Sequence, residues 1–434
     1  MVVPASNRTT YRDLFAIPGF PRLATSVMLA RTASQMTLLT LVLFVLQRFH
    51  SPSLAGITVF LSIAPGIALS PIAGALLDRH GRVRLITLDY LVGFVTLALI
   101  AGLDVSGRLT PWVLLPIVAV SSLTYSLSNS GARSLLPLIV PKRLWDRVNA
   151  LDSIAYALTV GAGPALAGAL TAWAGPRLSL TVTAAVFLLA AGLILPIPEP
   201  VAASVSRSVF ADAWAGLKYV LVHNAALRGI ALTASMLNLG FGILLVGIPV
   251  LVLQQLHGNP ALVGGLWAVY GLASVPSALI AGRINSEGRE RLVMIVSDLV
   301  AGLAVALLVF ASNVWLVGAA LLIAGLANGP FDVSMFSMRQ RRTDPAWYGR
   351  AFAVSMGLNW AGQPIGSAVS GPLIHVGLTV AFLVSAALML LAAGLVWWVI
   401  PAEPAGTISS ESARQSRRDR PVEESPSSAE QGAG

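Results

Sequence analysis

Apolar runs of about twenty residues, the length that crosses a bilayer as a helix, recur from one end of the chain to the other. The first extends from about Pro21 to Gln47 and is interrupted by Arg31. It is too long for a signal-peptide core of about 7 to 15 residues, so it reads as an uncleaved first span. Charged residues make up 11% of the 434 and hydrophobic residues 56%. A water-soluble enzyme is excluded on this ground, because its surface would lack the ionised side chains that keep a protein hydrated.

Boundaries set at charges, Pro/Gly pairs and polar clusters predict spans near residues 22–46, 53–77, 85–103, 112–136, 150–172 and 178–197. Six more follow near 229–253, 261–282, 292–311, 314–337, 351–373 and 378–400. The expected organisation is therefore a cytoplasmic N-terminus (1–21), a six-helix half (22–197), a linker (198–228), a second six-helix half (229–400) and a tail (401–434). Within the linker, Phe210, Trp214, Leu217, Val220 and Leu221 recur at roughly helical spacing. That pattern predicts an amphipathic helix on the membrane surface, with an extended connector as the alternative. The tail is rich in Ser, Glu, Arg and Pro and nearly devoid of apolar residues, so it is expected to be disordered.

A net charge of +9 would suggest nucleic acid as a partner of a soluble protein, but its distribution argues otherwise. Of the 28 Lys and Arg residues, 24 fall on segments that share a side with the termini. The opposite loops hold only Arg48, Arg108 and Arg177. One missed span would invert every later loop, so the positive-inside rule places both termini in the cytoplasm of a multi-pass protein of the cell (inner) membrane. The chain has no cysteine, and its five histidines lack metal-ligand spacing. No metal, cofactor or nucleic acid is expected.

An internal repeat organises the chain further. After the second span it reads GALLDRHGRVRLITLD (Gly74 to Asp89), and after the eighth AGRINSEGRERLVMIVSD (Ala281 to Asp298). Gly81, Arg82, Arg84 and Leu85 recur as Gly288, Arg289, Arg291 and Leu292, offset by 207 residues. Pro164 and Pro364 sit in Gly-rich segments of the fifth and eleventh spans, offset by 200. Because six is even, the two halves would be parallel repeats about an axis along the membrane normal. Asp298 reads as a weak second-half counterpart of Asp89.

Gly74, Leu76, Asp78, Arg79, Gly81, Arg82 and Arg84 resemble the loop signature between the second and third helices of the major facilitator superfamily. LLPLIVPKRLWDRVNALDS, GLKYVLVHNAALR and YGRAFAV are similar to segments of its enterobactin-exporter and macrolide-efflux branch. The resemblance covers nearly the whole chain except the tail. It implies an all-α integral membrane protein of twelve helices in two pseudo-symmetric six-helix halves, the major facilitator fold, that exports amphipathic small molecules against proton entry. Gly163, Pro164 and Gly168 match the fifth-helix signature of antiporters, whereas Ala167 and Thr159 stand where that signature has glycine.

Ionisable and polar residues within the spans are costly there and mark candidate functional positions. The loop motif, with Asp89 three turns further on, reads as a cytoplasmic latch between the halves, or as a plain positive-inside anchor. Arg31 and Gln35 lie in the first span. Ser122, Tyr125, Asn129 and Arg133 form one stripe at spacings of 3, 4 and 4 in the fourth. Arg133 either meets substrate or snorkels to the interface. Asn238 in the seventh span, Asn328 and Asp332 in the tenth, and Asn359 and Gln363 in the eleventh complete the polar set. Asp332 is the candidate proton-coupling acid, with an ion pair to Arg31 or Arg133 as its structural alternative. Trp267, Tyr270 and Trp360 are candidate stacking residues, or packing.

The resulting expectation is a proton-coupled exporter of a drug-, macrolide- or siderophore-like molecule, working by alternating access as a monomer, with substrate, protons and membrane lipids as its partners. Uptake or flipping of a lipid or solute is the alternative. No nucleophile set, metal cluster or catalytic carboxylate pair appears in the spans, so an enzyme is not expected.

Overall fold

A computed structural model describes residues 11–198, 209–283, 288–344 and 347–401. The N-terminal residues before Tyr11, the start of the linker and the tail from residue 402, which carries the expectation of disorder, lie outside that part. The described chain is helical throughout. A short α1 (Tyr11–Phe15) precedes α2 (Phe20–Phe49), α3 (Pro52–His80), α4 (Arg82–Val105), α5 (Pro111–Ser122), α6 (Tyr125–Ile139) and α7 (Trp145–Ile194). The linker contributes α8 (Val209–Lys218). Then come α9 (Ala225–Val250), α10 (Pro260–Arg283), α11 (Glu290–Ala306), α12 (Val314–Arg341), α13 (Tyr348–Trp360), α14 (Gly362–Val376) and α15 (Leu378–Val399).

Among the described residues, ten helices are long and apolar enough to cross a membrane. Two local features separate this count from the twelve runs expected. The fifth and sixth runs form the single helix α7, but Ala174 and Gly175 leave helical geometry, Gly175 at φ 83°. Before that point, Arg31 and Gln35 of α2 meet Asp152 and Gly163. After it, Thr40 meets Ser179 and Ser26 meets Ala190. Contacts that first ascend and then descend along α2 show the chain reversing at Ala174–Gly175. The eleventh run is divided at Ala361 into α13 and α14, each too short alone. Both run alongside α9 in one direction, since Asn238 meets Asn359 and Leu239 meets Gly366.

The repeat seen in the sequence is carried into the backbone. Gly81 and Gly288, 207 residues apart, adopt φ 92° and 73°, a left-handed region that residues with a Cβ enter at a cost. Gly81 directly precedes α4, and Gly288 stands two residues before α11.

Two sets of helices, α2–α7 and α9–α15, meet along α3 with α14 and α7 with α10. Hydrocarbon gives apolar helix faces no net drive to associate, so close packing must supply it. At the second seam Gly168 faces Gly264, where a Cβ on Gly168 would lie 2.8 Å from the Gly264 Cα. Seven residues along each helix, Gly161 faces Gly271 in the same way. At the first seam Gly371 packs on Ser53, and Gly56 packs on Ser367 and Ser370. These contacts lie towards the ends remote from the linker.

That remote side also explains two of its three cations. Asp104, 3% exposed near the end of α4, accepts from Arg48 Nε at 2.8 Å and from Arg177 Nε. One carboxylate thus ties α2, α4 and the turn of α7. Replacing it leaves two guanidinium groups sharing an uncharged partner. Asp104→Asn is expected to cost about 1–3 kcal/mol, read as a lower thermal unfolding midpoint of the purified protein. An unchanged midpoint would show that the triad contributes nothing.

Candidate functional site

A cavity of about 2300 Å³ lies between the two helix sets. Val42, Val59 and Leu245 lie at its remote end, where the seams close, and Arg79, Arg133 and the linker residues Trp214 and Leu217 at the other. It is therefore closed at the end remote from the linker and extends to the linker face. Helix α8 packs there against α3 and α13, so residues 209–218 form a helix rather than an extended connector.

The cavity wall gathers residues scattered through the sequence: Arg31, Gln35, Ser122, Tyr125, Asn129, Arg133, Asn238, Asn328, Asp332, Asn359 and Gln363 all line it. The first, fourth, seventh and tenth spans supply most of them. The stripe on the fourth span is not one helix face, because α5 ends at Ser122 and α6 begins at Tyr125. The backbone tightens there to hydrogen bonds three residues apart, Leu123 to Val120, Thr124 to Ser121 and Leu127 to Thr124, and all four stripe residues reach the cavity.

The N-terminal wall is organised by an ion pair that spacing alone did not indicate. Arg31 Nη1 donates to Asp152 Oδ1 at 2.6 Å and Nη2 to Oδ2 at 3.3 Å, a two-pronged match of guanidinium to carboxylate. The guanidinium also lies 5.7 Å from the Tyr156 ring centre. Arg31 is thus aimed by α7, and Asp332 is not its partner. Instead Asp332 Oδ2 accepts from Asn328 Nδ2 at 3.0 Å, one turn earlier on α12.

A polar chain crosses the opposite wall. Asn238 Nδ2 donates to Asn359 Oδ1 at 3.1 Å, and Asn359 Nδ2 to Met335 Sδ at 3.7 Å, joining α9, α13 and α12. Trp267 packs edge-on against Phe241 at 5.3 Å and against Tyr270 at 6.0 Å, Tyr270 lies tilted on Phe241 at 5.4 Å, and Trp360 is a separate, half-exposed wall residue.

The loop motif is distributed more loosely. Arg79 and Asp89 reach the cavity, Arg82 Nε donates to Ser134 at 3.1 Å, and Arg84 is exposed. The Asp78 side chain and the surroundings of Gly74 lie outside the described part. In the fifth-helix motif, Gly163 packs on Gln35, Gly168 forms the seam with α10, and Pro164 reaches the cavity. Thr159 turns its hydroxyl to the Tyr156 carbonyl at 2.7 Å.

Arg339, in the last turn of α12, is not an exposed loop cation. It is fully buried, lies 5.4 Å from both the Phe336 and Phe352 ring centres, and donates from Nη1 to Met356 Sδ. Its aromatic cradle comes partly from α13, which no helical spacing on α12 reveals.

Comparison with known proteins gives consistent results. A family model described as Major Facilitator Superfamily matches residues 23–287 and 230–429. An MFS-type transporter of Sinorhizobium fredii, y4rN, is 37% identical over 403 residues, spanning 89% of this chain and 96% of that protein. The multidrug efflux pump Tap of Mycobacterium tuberculosis is 25% identical over 382 residues, spanning 82% and 87%. Among solved structures, the nucleoside transporter NupG superposes with a TM-score of 0.70 at 14% identity, covering 88% of this chain and 99% of its own. A bacterial metal transporter gives 0.62 at 18% identity, covering 87% and 97%. At those identities the structural likeness concerns the fold alone.

The Arg31–Asp152 pair supplies a test that requires no substrate. Removing Asp152 alone leaves a half-buried cation, which costs more than removing both groups. Thermal unfolding of Arg31→Ala, Asp152→Ala and the double variant is expected to show a coupling of about 0.5–3 kcal/mol. Additive losses would mean the two groups act independently.

Proposed function

The chain belongs to the major facilitator superfamily of membrane transporters, and we propose that it exports an amphipathic small molecule against proton entry by alternating access. The observation that carries this reading is the cavity. Polar groups of both helix sets converge on one space that is closed towards the remote side by small-residue seams and extends to the linker face. Rocking the sets about such seams would expose the same wall to each side in turn. On this reading α7 makes two crossings and α13–α14 one, for twelve in all. Both termini lie in the cytoplasm, where 24 of the 28 cations then fall, and the working unit is a monomer.

Export as the direction is supported by the resemblance to the efflux branch and by the sequence likeness to a multidrug efflux pump. The wall suits a molecule with an apolar body and a polar or charged end. Aromatic rings of Phe241, Trp267 and Tyr270 offer stacking surface, Arg31 and Arg133 offer cations, and Asp332 offers an anion whose one hydrogen-bond donor is a neutral amide. Asp332 is assigned the coupling role: it takes a proton when the cavity faces the acidic side and releases it when the cavity faces the cytoplasm.

The test is transport in oriented vesicles across a panel of macrolides, siderophores, anionic drugs and lysolipids. One class is expected to move outward, faster with an imposed pH gradient, and Asp332→Asn is expected to fall to the rate seen without a gradient. Transport indifferent to the gradient, or unaffected in D332N, would contradict the coupling. Accumulation in the opposite sense would replace export with uptake.

A further inference from the structure

Asp298, on α11, has no role in the account above. It is 1% exposed, and neither carboxylate oxygen receives a hydrogen bond. It nevertheless belongs to the cavity wall, beside Ser297 and Ala301. Its depth follows from an ion pair at the linker end of the same helix, where Glu290 at the start of α11 meets Arg341 at the end of α12. That pair sets the register of two helices running in opposite directions. At 1.5 Å per residue, Asp298 stands about 12 Å up α11 and Asp332 about 14 Å up α12. Two carboxylates therefore occupy one level of one wall.

The surroundings of Asp298 hold nothing that would neutralise it as an ion. The helices packed on α11 are α12 and α15. From α12 come Asp332, itself an acid, Arg341, already engaged by Glu290, and Arg339, whose guanidinium sits between Phe336 and Phe352 and turns to Met356. Helix α15 carries no titratable side chain. On α11 itself, Arg291 is committed to the Trp397 carbonyl and ring. A buried carboxylate with neither a cation nor a donor is untenable as an anion, and neutralises by taking up a proton.

We propose that Asp298 is a second proton-exchange site of this cavity, holding a proton in the conformation described and passing it to and from the cavity at the level of Asp332. The Asp298 carboxyl O–H bond breaks as an O–H bond forms on water, which relays the proton to the Asp332 carboxylate, and the reverse step restores it. No other bond changes. Two acids at one depth let a proton move laterally between α11 and α12 while substrate occupies the central space, so Asp332 can be reloaded without clearing the cavity. The inference deepens the proton-coupled reading, but its test requires no transport.

The experiment is infrared difference spectroscopy of the full chain in lipid nanodiscs, wild type against Asp298→Asn, in water and in deuterium oxide. The expected result is one protonated-carboxyl stretching band that is lost in D298N, retained in Asp332→Asn, and downshifted after exchange into deuterium oxide. Asp298→Glu, which keeps an acid at this position, should move the band instead of removing it and serves where D298N does not fold. Identical wild-type and D298N spectra would overturn the proposal, since Asp298 would then be ionised. A band that resists deuterium would also overturn it, since the proton would be sealed in. Gradient-independent transport with the exchanging band intact would remove the coupling and leave the site.

Discussion

Charge has almost nowhere to go in this molecule. Hydrocarbon offers an ionised side chain neither water nor counterions, so each charge inside a span must be paired, turned to an aqueous cavity, or neutralised. Two of these outcomes are visible, and the third is the one proposed for Asp298. Arg31 is paired by Asp152, Arg133 turns to the cavity, and Asp298 is left without a partner. The same constraint makes each charge a fixed point around which helices are placed, as Asp104 does for Arg48 and Arg177.

Packing carries the complementary burden. Because lipid is as apolar as leucine, helix faces adhere through close fit, and the seams between the helix sets are built from residues with little or no side chain. Gly161 and Gly168 meet Gly271 and Gly264 along α7 and α10, while Ser53 and Gly56 meet Gly371 and Ser367 along α3 and α14. Contacts of this kind are continuous backbone surfaces rather than interlocked side chains, which suits two bodies that tilt against one another. Their concentration away from the linker leaves the cavity closed at that end.

Much of this was legible in the sequence because a bilayer forces long apolar runs and a one-sided charge count. Gly81 and Gly288, matched in the sequence repeat, both take positive φ. Arg31, Gln35, the stripe from Ser122 to Arg133, Asn238, Asn328, Asp332, Asn359 and Gln363 all reach the cavity, since polarity inside a span has few other destinations. What was not legible depends on contacts distant in sequence. Asp152 meets Arg31 across 121 positions, a pairing that no spacing along either helix announces. The cradle of Arg339 is equally hidden, because nothing on α12 announces the Phe352 ring that α13 brings to it. The break at Leu123–Thr124 contains neither proline nor glycine, so periodicity ran straight through it.

The central claim is that the cavity closes on one side as it opens on the other. It is tested most directly by spin-label distances in this naturally cysteine-free chain. One pair, His50→Cys with His257→Cys, reports the remote face, and another, His80→Cys with Arg283→Cys, reports the linker face. Measured in nanodiscs across acid and alkaline buffers, each pair should show two populations, with the remote distance lengthening as the linker-face distance shortens. A single unchanging distance for both pairs, or both moving in the same sense, would contradict the account.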